Sequence, residues 1–129
     1  MMTDEPSLIG AITIPGTMRA ARVAREFVAE IVQPGVAALS DLVLCVSELV
    51  TNAVVHTKSG VRGYVKIQVT ETEKEIRLDV TDEGGTSSVP HLASVGAGGR
   101  GLRILDSITT AWGVRPAGPG TTVWCTLPR

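Results

Sequence analysis

A β-prone run opens the chain, Leu8 to Ile14, and Pro15-Gly16 closes it. Behind it Ala20, Val23, Phe27 and Ile31 recur every three or four residues, the spacing of one helix face, with Thr17 placed to cap that helix. Gln33-Pro34-Gly35 ends it. A longer helical pattern follows, with Leu39, Leu42, Val43, Val46, Leu49, Val50 and Ala53 on one side and Ser40 as a cap candidate. Thr57 to Gly63 reads as a loop. The period then shifts to strict alternation. Val65, Ile67 and Val69 share one face, Ile76, Leu78 and Val80 share another, and polar Glu71 to Glu75 lies between them, which predicts an antiparallel hairpin with one buried face. From Thr81 to Arg100 the periodicity disappears, and a loop of that length in a compact domain is usually functional or disordered. Gly101 to Ile108 reads as a helix with Leu102, Leu105 and Ile108 on one side. Ala111 to Arg115 and Thr121 to Leu127 make a second hairpin around Pro116 to Gly120.

The predicted order is β-α-α-β-β-loop-α-β-β. Strands grouped as hairpins and helices grouped together predict an α+β two-layer sandwich, with the helices on one face of a mixed, largely antiparallel sheet. A doubly wound parallel sheet needs strands and helices to alternate, and here they do not. The 129 residues fit a single domain spanning 1–129, and 43% hydrophobic against 19% charged residues excludes a disordered polar chain. Only Phe27, Tyr64, Trp112 and Trp124 are aromatic, so the core must be built from Val, Leu, Ile and Ala. Twelve basic and thirteen acidic side chains leave a formal charge of -1, which carries no footprint for direct nucleic-acid or anionic-membrane binding. No apolar run is long enough to span a bilayer, and the first sixteen residues hold Asp4 and Glu5 without a basic or apolar leader pattern. A cytoplasmic location is therefore expected, with Cys45 and Cys125 as reduced thiols acting as small hydrophobes.

Four constellations could carry chemistry. Glu48, Asn52 and His56 follow one another at four-residue spacing, so they lie along one stripe of the second helix, beside its apolar face. A carboxylate and a carboxamide one turn apart can activate a hydroxyl and supply oxygen to a hard cation such as Mg²⁺; on spacing alone the same stripe is an ordinary solvated face. Asp82-Glu83-Gly84-Gly85 stands where a predicted central strand runs out, which suits either a ligand-amine contact or a plain turn. Gly96-Ala97-Gly98-Gly99-Arg100-Gly101-Leu102 leads into a helix, the arrangement that offers free N–H groups to an anion. Its match to G-x-G-x-x-G does not imply a dinucleotide fold, because no strand precedes it and no acid stands about 20 residues on. Gly120-Thr121-Thr122 opens the last strand, where a hydroxyl can touch a ligand. Phosphate-loop, zinc and serine-hydrolase patterns are absent, and Arg19, Arg22 and Arg25 read as a solvated helix face.

In this order the four elements resemble the GHKL, or Bergerat, ATP-binding fold shared by histidine kinases, chaperone ATPases and bacterial anti-sigma serine kinases, over essentially the whole chain. Glu48-Leu49-Val50-Thr51-Asn52-Ala53-Val54-Val55-His56 resembles the family's N box, Asp82-Glu83-Gly84 the first glycine box, and Gly98-Gly99-Arg100-Gly101-Leu102 the second. The segment from Gly99 to Pro128 is similar to the small regulatory ATPases of actinomycetes, of the anti-sigma serine/threonine kinase type. The resemblance implies ATP and Mg²⁺ as ligands, with an ATP lid at about 84–101. It implies Asn52 as the Mg²⁺ ligand and Glu48 as the base toward an incoming serine hydroxyl. Asp82 would accept the adenine amino group, with Gly84 keeping the pocket floor close, and Thr121 would bond to adenine. Gly98, Gly99 and Gly101 would offer N–H groups to the phosphates beside Leu102, and Arg100 would add charge near the γ-phosphate. The chain departs from the usual D-x-G-x-G at Thr86, and Arg100 is the only Lys or Arg of the lid. As function, the resemblance implies an anti-sigma factor with protein-serine kinase activity. Its expected partners are a sigma factor and a small anti-anti-sigma (STAS-type) protein, with a homodimer implied as well. A nucleotide-gated module that sequesters a regulator without phosphoryl transfer fits the same pocket.

Overall fold

The computed structural model describes residues 5–56, 63–83 and 100–129. Its elements are β1 (Ser7–Pro15), α1 (Ala20–Ile31), α2 (Leu39–His56), β2 (Tyr64–Glu71), β3 (Glu75–Thr81), α3 (Arg100–Ile108), β4 (Ala111–Ala117) and β5 (Gly120–Pro128). The five strands form one sheet in the order β1-β2-β3-β5-β4, and each of the four pairings is antiparallel. The α+β architecture expected from the hydrophobic pattern is therefore found.

Alternation decides which face of the sheet is buried. In the β2–β3 register Ile67 faces Val80 and Val69 faces Leu78, and in the β3–β5 register Leu78 faces Cys125 and Ile76 faces Leu127. These side chains are fully or almost fully buried, and they join Leu42, Val46, Leu49, Val50 and Ala53 of α2 in one core. Each large aliphatic side chain so buried contributes roughly 1.5–3 kcal/mol. Among the described residues no aromatic side chain is in the buried core; Phe27 and Trp112 pack at its margin. The opposite face is polar. Arg77 Nε donates to Asp79 Oδ1 at 2.8 Å and Arg115 Nη2 to Asp79 Oδ2 at 3.2 Å. The Arg77 guanidinium lies 4.5 Å from the centre of the Trp124 ring.

Several local expectations change. The buried stripe of α1 is Ala20, Ala24 and Val28, whereas Val23 is 38% exposed. Small residues on that stripe let α1 lie close against α2, while Phe27 and Ile31 turn toward Gly10 of β1, where the β1–β2 register shifts. Thr17 does not cap α1 through its side chain; its hydroxyl accepts from the Arg19 N–H at 3.2 Å, inside the turn that precedes the helix. Ser40 is the second residue of α2 rather than its cap. Arg22 pairs with Glu26 on the exposed face of α1 as a solvated arginine would, but Arg25 Nη1 crosses to Ser47 Oγ of α2 at 2.9 Å. The last hairpin is tighter than its sequence suggested, because Ala117 pairs with Gly120 and only Gly118-Pro119 turns. Gly118 has φ +60° and proline fixes the next φ near −65°, the combination of a type II′ turn.

Leu42 and Leu44 separate burial from composition on α2, because the first is fully buried and the second 41% exposed. Leu42→Ala is expected to cost ~2–5 kcal/mol of unfolding free energy. Leu44→Ala should stay within about 0.5 kcal/mol of the parent. Urea denaturation followed by circular dichroism measures both, and equal losses would contradict the packing described.

Candidate functional site

The site grows from two pieces of backbone. The first is the end of the central strand pair. Thr81 is in register with Thr122, and the ladder continues one step further, with the Asp82 N–H donating to the Thr121 carbonyl at 2.9 Å. By strand parity Asp82 continues the face of Ile76, Leu78 and Val80, and Thr121 continues that of Val123, Cys125 and Leu127. Both therefore belong to the face that the helices cover, and both are 6% exposed. A carboxyl group and a hydroxyl are thus held side by side where the aliphatic core runs out.

Gly120 makes that approach possible. A Cβ built on it would stand 1.9 Å from the Asp82 carbonyl oxygen and 3.0 Å from the Glu83 carbonyl carbon. These obstacles are backbone and cannot swing aside, so only glycine fits here. Beneath this corner the Thr81 and Thr122 hydroxyls share a 2.7 Å hydrogen bond, with Thr122 almost wholly buried. Thr121 is among the residues expected from the sequence, whereas the Gly120 shelf and the threonine pair emerge only in the fold. Facing threonines at the ends of two adjacent strands were the available signal.

The second piece is α2, which rests on β2, β3 and β5. Glu48 and Asn52 are both half-buried, neither in the core with Leu49 and Ala53 nor free on the surface like Val55. That is the flank the stripe predicted. Their oxygen atoms are hard donors of the kind Mg²⁺ prefers. Among the described residues no group of three or more His, Cys, Asp or Glu is placed to hold a metal ion, so an ion here would draw on Asn52 together with ligand and water oxygens. A groove of about 520 Å³, lined by Pro15, Met18, Val54 and Tyr64 among others, takes in none of these residues.

The helix bearing Glu48 and Asn52 thus lies over the strands bearing Asp82 and Thr121. The remaining candidates fall differently. Gly84, Gly98 and Gly99, and with them most of the expected lid at 84–101, lie outside the described residues. Arg100, Gly101 and Leu102 form the first turn of α3, and the side chains of Arg100 and Leu102, like that of His56, are not among those described.

A family model for the histidine kinase-like ATPase domain matches residues 14–127. The chain belongs to that family. It is accordingly a GHKL-type ATP-binding domain, and the match takes in every element from the end of β1 to the end of β5. A search of the curated proteins finds no match to the chain. No helix among the described residues is long and apolar enough to cross a membrane.

The Gly120 shelf can be tested against a glycine of another kind. Gly35 has φ +93° with nothing within 4 Å of its added Cβ, so Gly35→Ala should lose only ~1–2 kcal/mol of stability and keep its ATP affinity. Gly120→Ala must displace Asp82, and its ATP affinity should fall by about ten-fold or more. Isothermal titration with Mg·ATP compares the two, and an unaltered affinity in Gly120→Ala would remove the shelf from the site.

Proposed function

We propose that the chain is an ATP-dependent protein-serine kinase that acts as an anti-sigma factor, phosphorylating a small STAS-type anti-anti-sigma partner and releasing or holding a sigma factor according to that partner's state. The observation that carries this reading is the placement of Glu48 one turn before Asn52, half-buried on the helix that packs on β3 and β5, the strands at whose ends Asp82 and Thr121 stand. ATP binding needs a purine contact and a phosphate contact. A positioned carboxylate beside them is what transfer to a hydroxyl adds.

Asp82 accepts the adenine amino group, its backbone held by the Gly120 shelf and the Thr121 carbonyl, and the Thr121 hydroxyl bonds to adenine. Asn52 would hold Mg²⁺, which would supply charge neutralisation at the phosphates. Glu48 orients the serine hydroxyl of the partner and accepts its proton as the oxygen attacks the γ-phosphorus. The bond from that phosphorus to the bridging oxygen breaks, and ADP leaves. Phosphoryl transfer depends mainly on positioning and on charge stabilisation, so this small set is chemically sufficient. Gly98, Gly99 and Gly101 offer backbone N–H groups to the phosphates in this reading, and Arg100 adds the one lid cation. A cytoplasmic location and a homodimer belong to the same reading through the family resemblance alone.

The test is transfer from labelled ATP to a STAS-type partner. Glu48→Ala should keep ATP affinity within about three-fold while transfer falls by a factor of roughly 10²–10⁴. Asn52→Ala, or removal of Mg²⁺ by chelation, should weaken nucleotide binding itself. Equal labelling by Glu48→Ala and the parent would sink the proposed role of Glu48. Partner capture that requires Mg·ATP but leaves no phosphoserine would identify a nucleotide-gated binding module instead.

A further inference from the structure

The chain has two cysteines, and the fold brings them together. Cys45 lies on the buried face of α2 and Cys125 on the core face of β5, between Val123 and Leu127. Both residues are fully buried, and their side chains meet across the helix–sheet seam. Valine or alanine would fill this volume with no polar contact to arrange. Two facing thiols add chemistry that the packing does not need.

We propose that Cys45 and Cys125 form a reversible dithiol–disulfide pair that couples the seating of α2 on β5, and so the positions of Glu48 and Asn52, to peroxide oxidation. The claim that oxidation changes nucleotide binding rests on the ATP-binding reading of the site; the claim that the pair closes does not.

Hydrogen bonding from the Cys125 thiol holds Cys45 below the ordinary thiol range, although burial opposes this. The same contact and burial push Cys125 up. The thiolate is the nucleophile, and the same bond closes whichever sulfur attacks. When it is Cys45, its thiolate attacks one oxygen of hydrogen peroxide, the O–O bond breaks, and the departing hydroxide takes up a proton to leave as water. Cys45 is now a sulfenic acid. The Cys125 sulfur gives up its proton and displaces the sulfenic hydroxyl, which leaves as a second water while the S–S bond forms. Two thiols and one peroxide become one disulfide and two waters, and an external dithiol reverses the change by exchange. Because both sulfurs are buried, the oxidant enters through local opening of the α2–β5 seam.

The consequence is geometric. A disulfide sets its sulfurs about 2.05 Å apart, well inside the contact distance of two thiols, so closure draws α2 toward β5. Glu48 lies within one turn of Cys45, Asn52 one turn further on, and Thr121 is four residues before Cys125. The bond would thus tighten the seam between the two halves of the site, and a displacement of about 1 Å at such groups can cost on the order of 10²-fold in activity. The tryptophans supply a separate signal, because Trp112 is directly opposite Cys125 in the β4–β5 register and Trp124 precedes it.

The full chain is treated with hydrogen peroxide under native conditions and followed by intact mass, peptide mapping, tryptophan emission and binding of a fluorescent ATP analogue with Mg²⁺. The expected result is a loss of about 2 Da with one Cys45–Cys125 cross-linked peptide. Quenched emission and analogue binding weakened by about ten-fold or more should accompany it, all reversed by dithiothreitol. Cys125→Ala and the bulkier Cys45→Val should each be insensitive, so a failure of one to fold leaves the other to report. No reaction, a gain of about 16 or 32 Da on one thiol, or a disulfide-linked dimer would overturn the proposal. So would a disulfide that leaves analogue affinity unchanged. If the reduced chain does not bind the analogue, the ATP reading fails on its own. The thiol pair is then judged by the amide resonances of Glu48 and Asn52: a shift between reduced and oxidised protein upholds it, and identical spectra overturn it.

Discussion

The contact on which the rest depends is the seam between α2 and the central strands. Leu42, Cys45, Val46, Leu49 and Val50 are buried against the alternating face of β2, β3 and β5. Because the stripe is continuous, the helix can neither roll nor slide without exposing aliphatic surface. Fixing the roll of α2 fixes which residues lie at the edge of the seam, and these are Glu48 and Asn52. The same constraint brings Cys45 to Cys125. Positions that look like separate features of the sequence are thus consequences of one packing decision.

The strand end supplies the second constraint. Asp82 is buried because parity turns it toward the helix layer, and it can lie against β5 because residue 120 has no side chain. In the proposed reading a purine is held at this corner by one carboxylate and a close backbone rather than by a basic surface. The near-neutral charge of the chain agrees with that, since the polar face of the sheet spends Arg77 and Arg115 on Asp79 instead of presenting them to an anion.

Much of this was legible in the sequence. The change of period between α2 and β2, the paired alternating runs and the order of elements together exclude a parallel sheet, and they gave every described element with small errors at the ends. The Glu48–Asn52 stripe was readable because helical spacing alone places it beside the apolar face. What the sequence concealed depended on neighbours distant in the chain. The buried stripe of α1 is made of alanines and a valine, because proximity to α2 favours small side chains over the larger Val23 and Phe27. Arg25 looked solvated because its partner, Ser47, stands on another helix. The role of Gly120 depends on a carbonyl of another strand, and the meeting of Cys45 with Cys125 depends on the helix–sheet register. No periodicity encodes either.

The central claim is that nucleotide lies between the Asp82–Thr121 corner and the Glu48–Asn52 flank of α2. A crystal structure of the chain with Mg²⁺ and a non-hydrolysable ATP analogue tests it most directly. The account predicts the adenine amino group within hydrogen-bond distance of the Asp82 carboxylate and the metal bound by the Asn52 side-chain oxygen. An analogue seated elsewhere, such as the groove beside Met18 and Tyr64, with Asp82 and Asn52 making no contact to it, would contradict it.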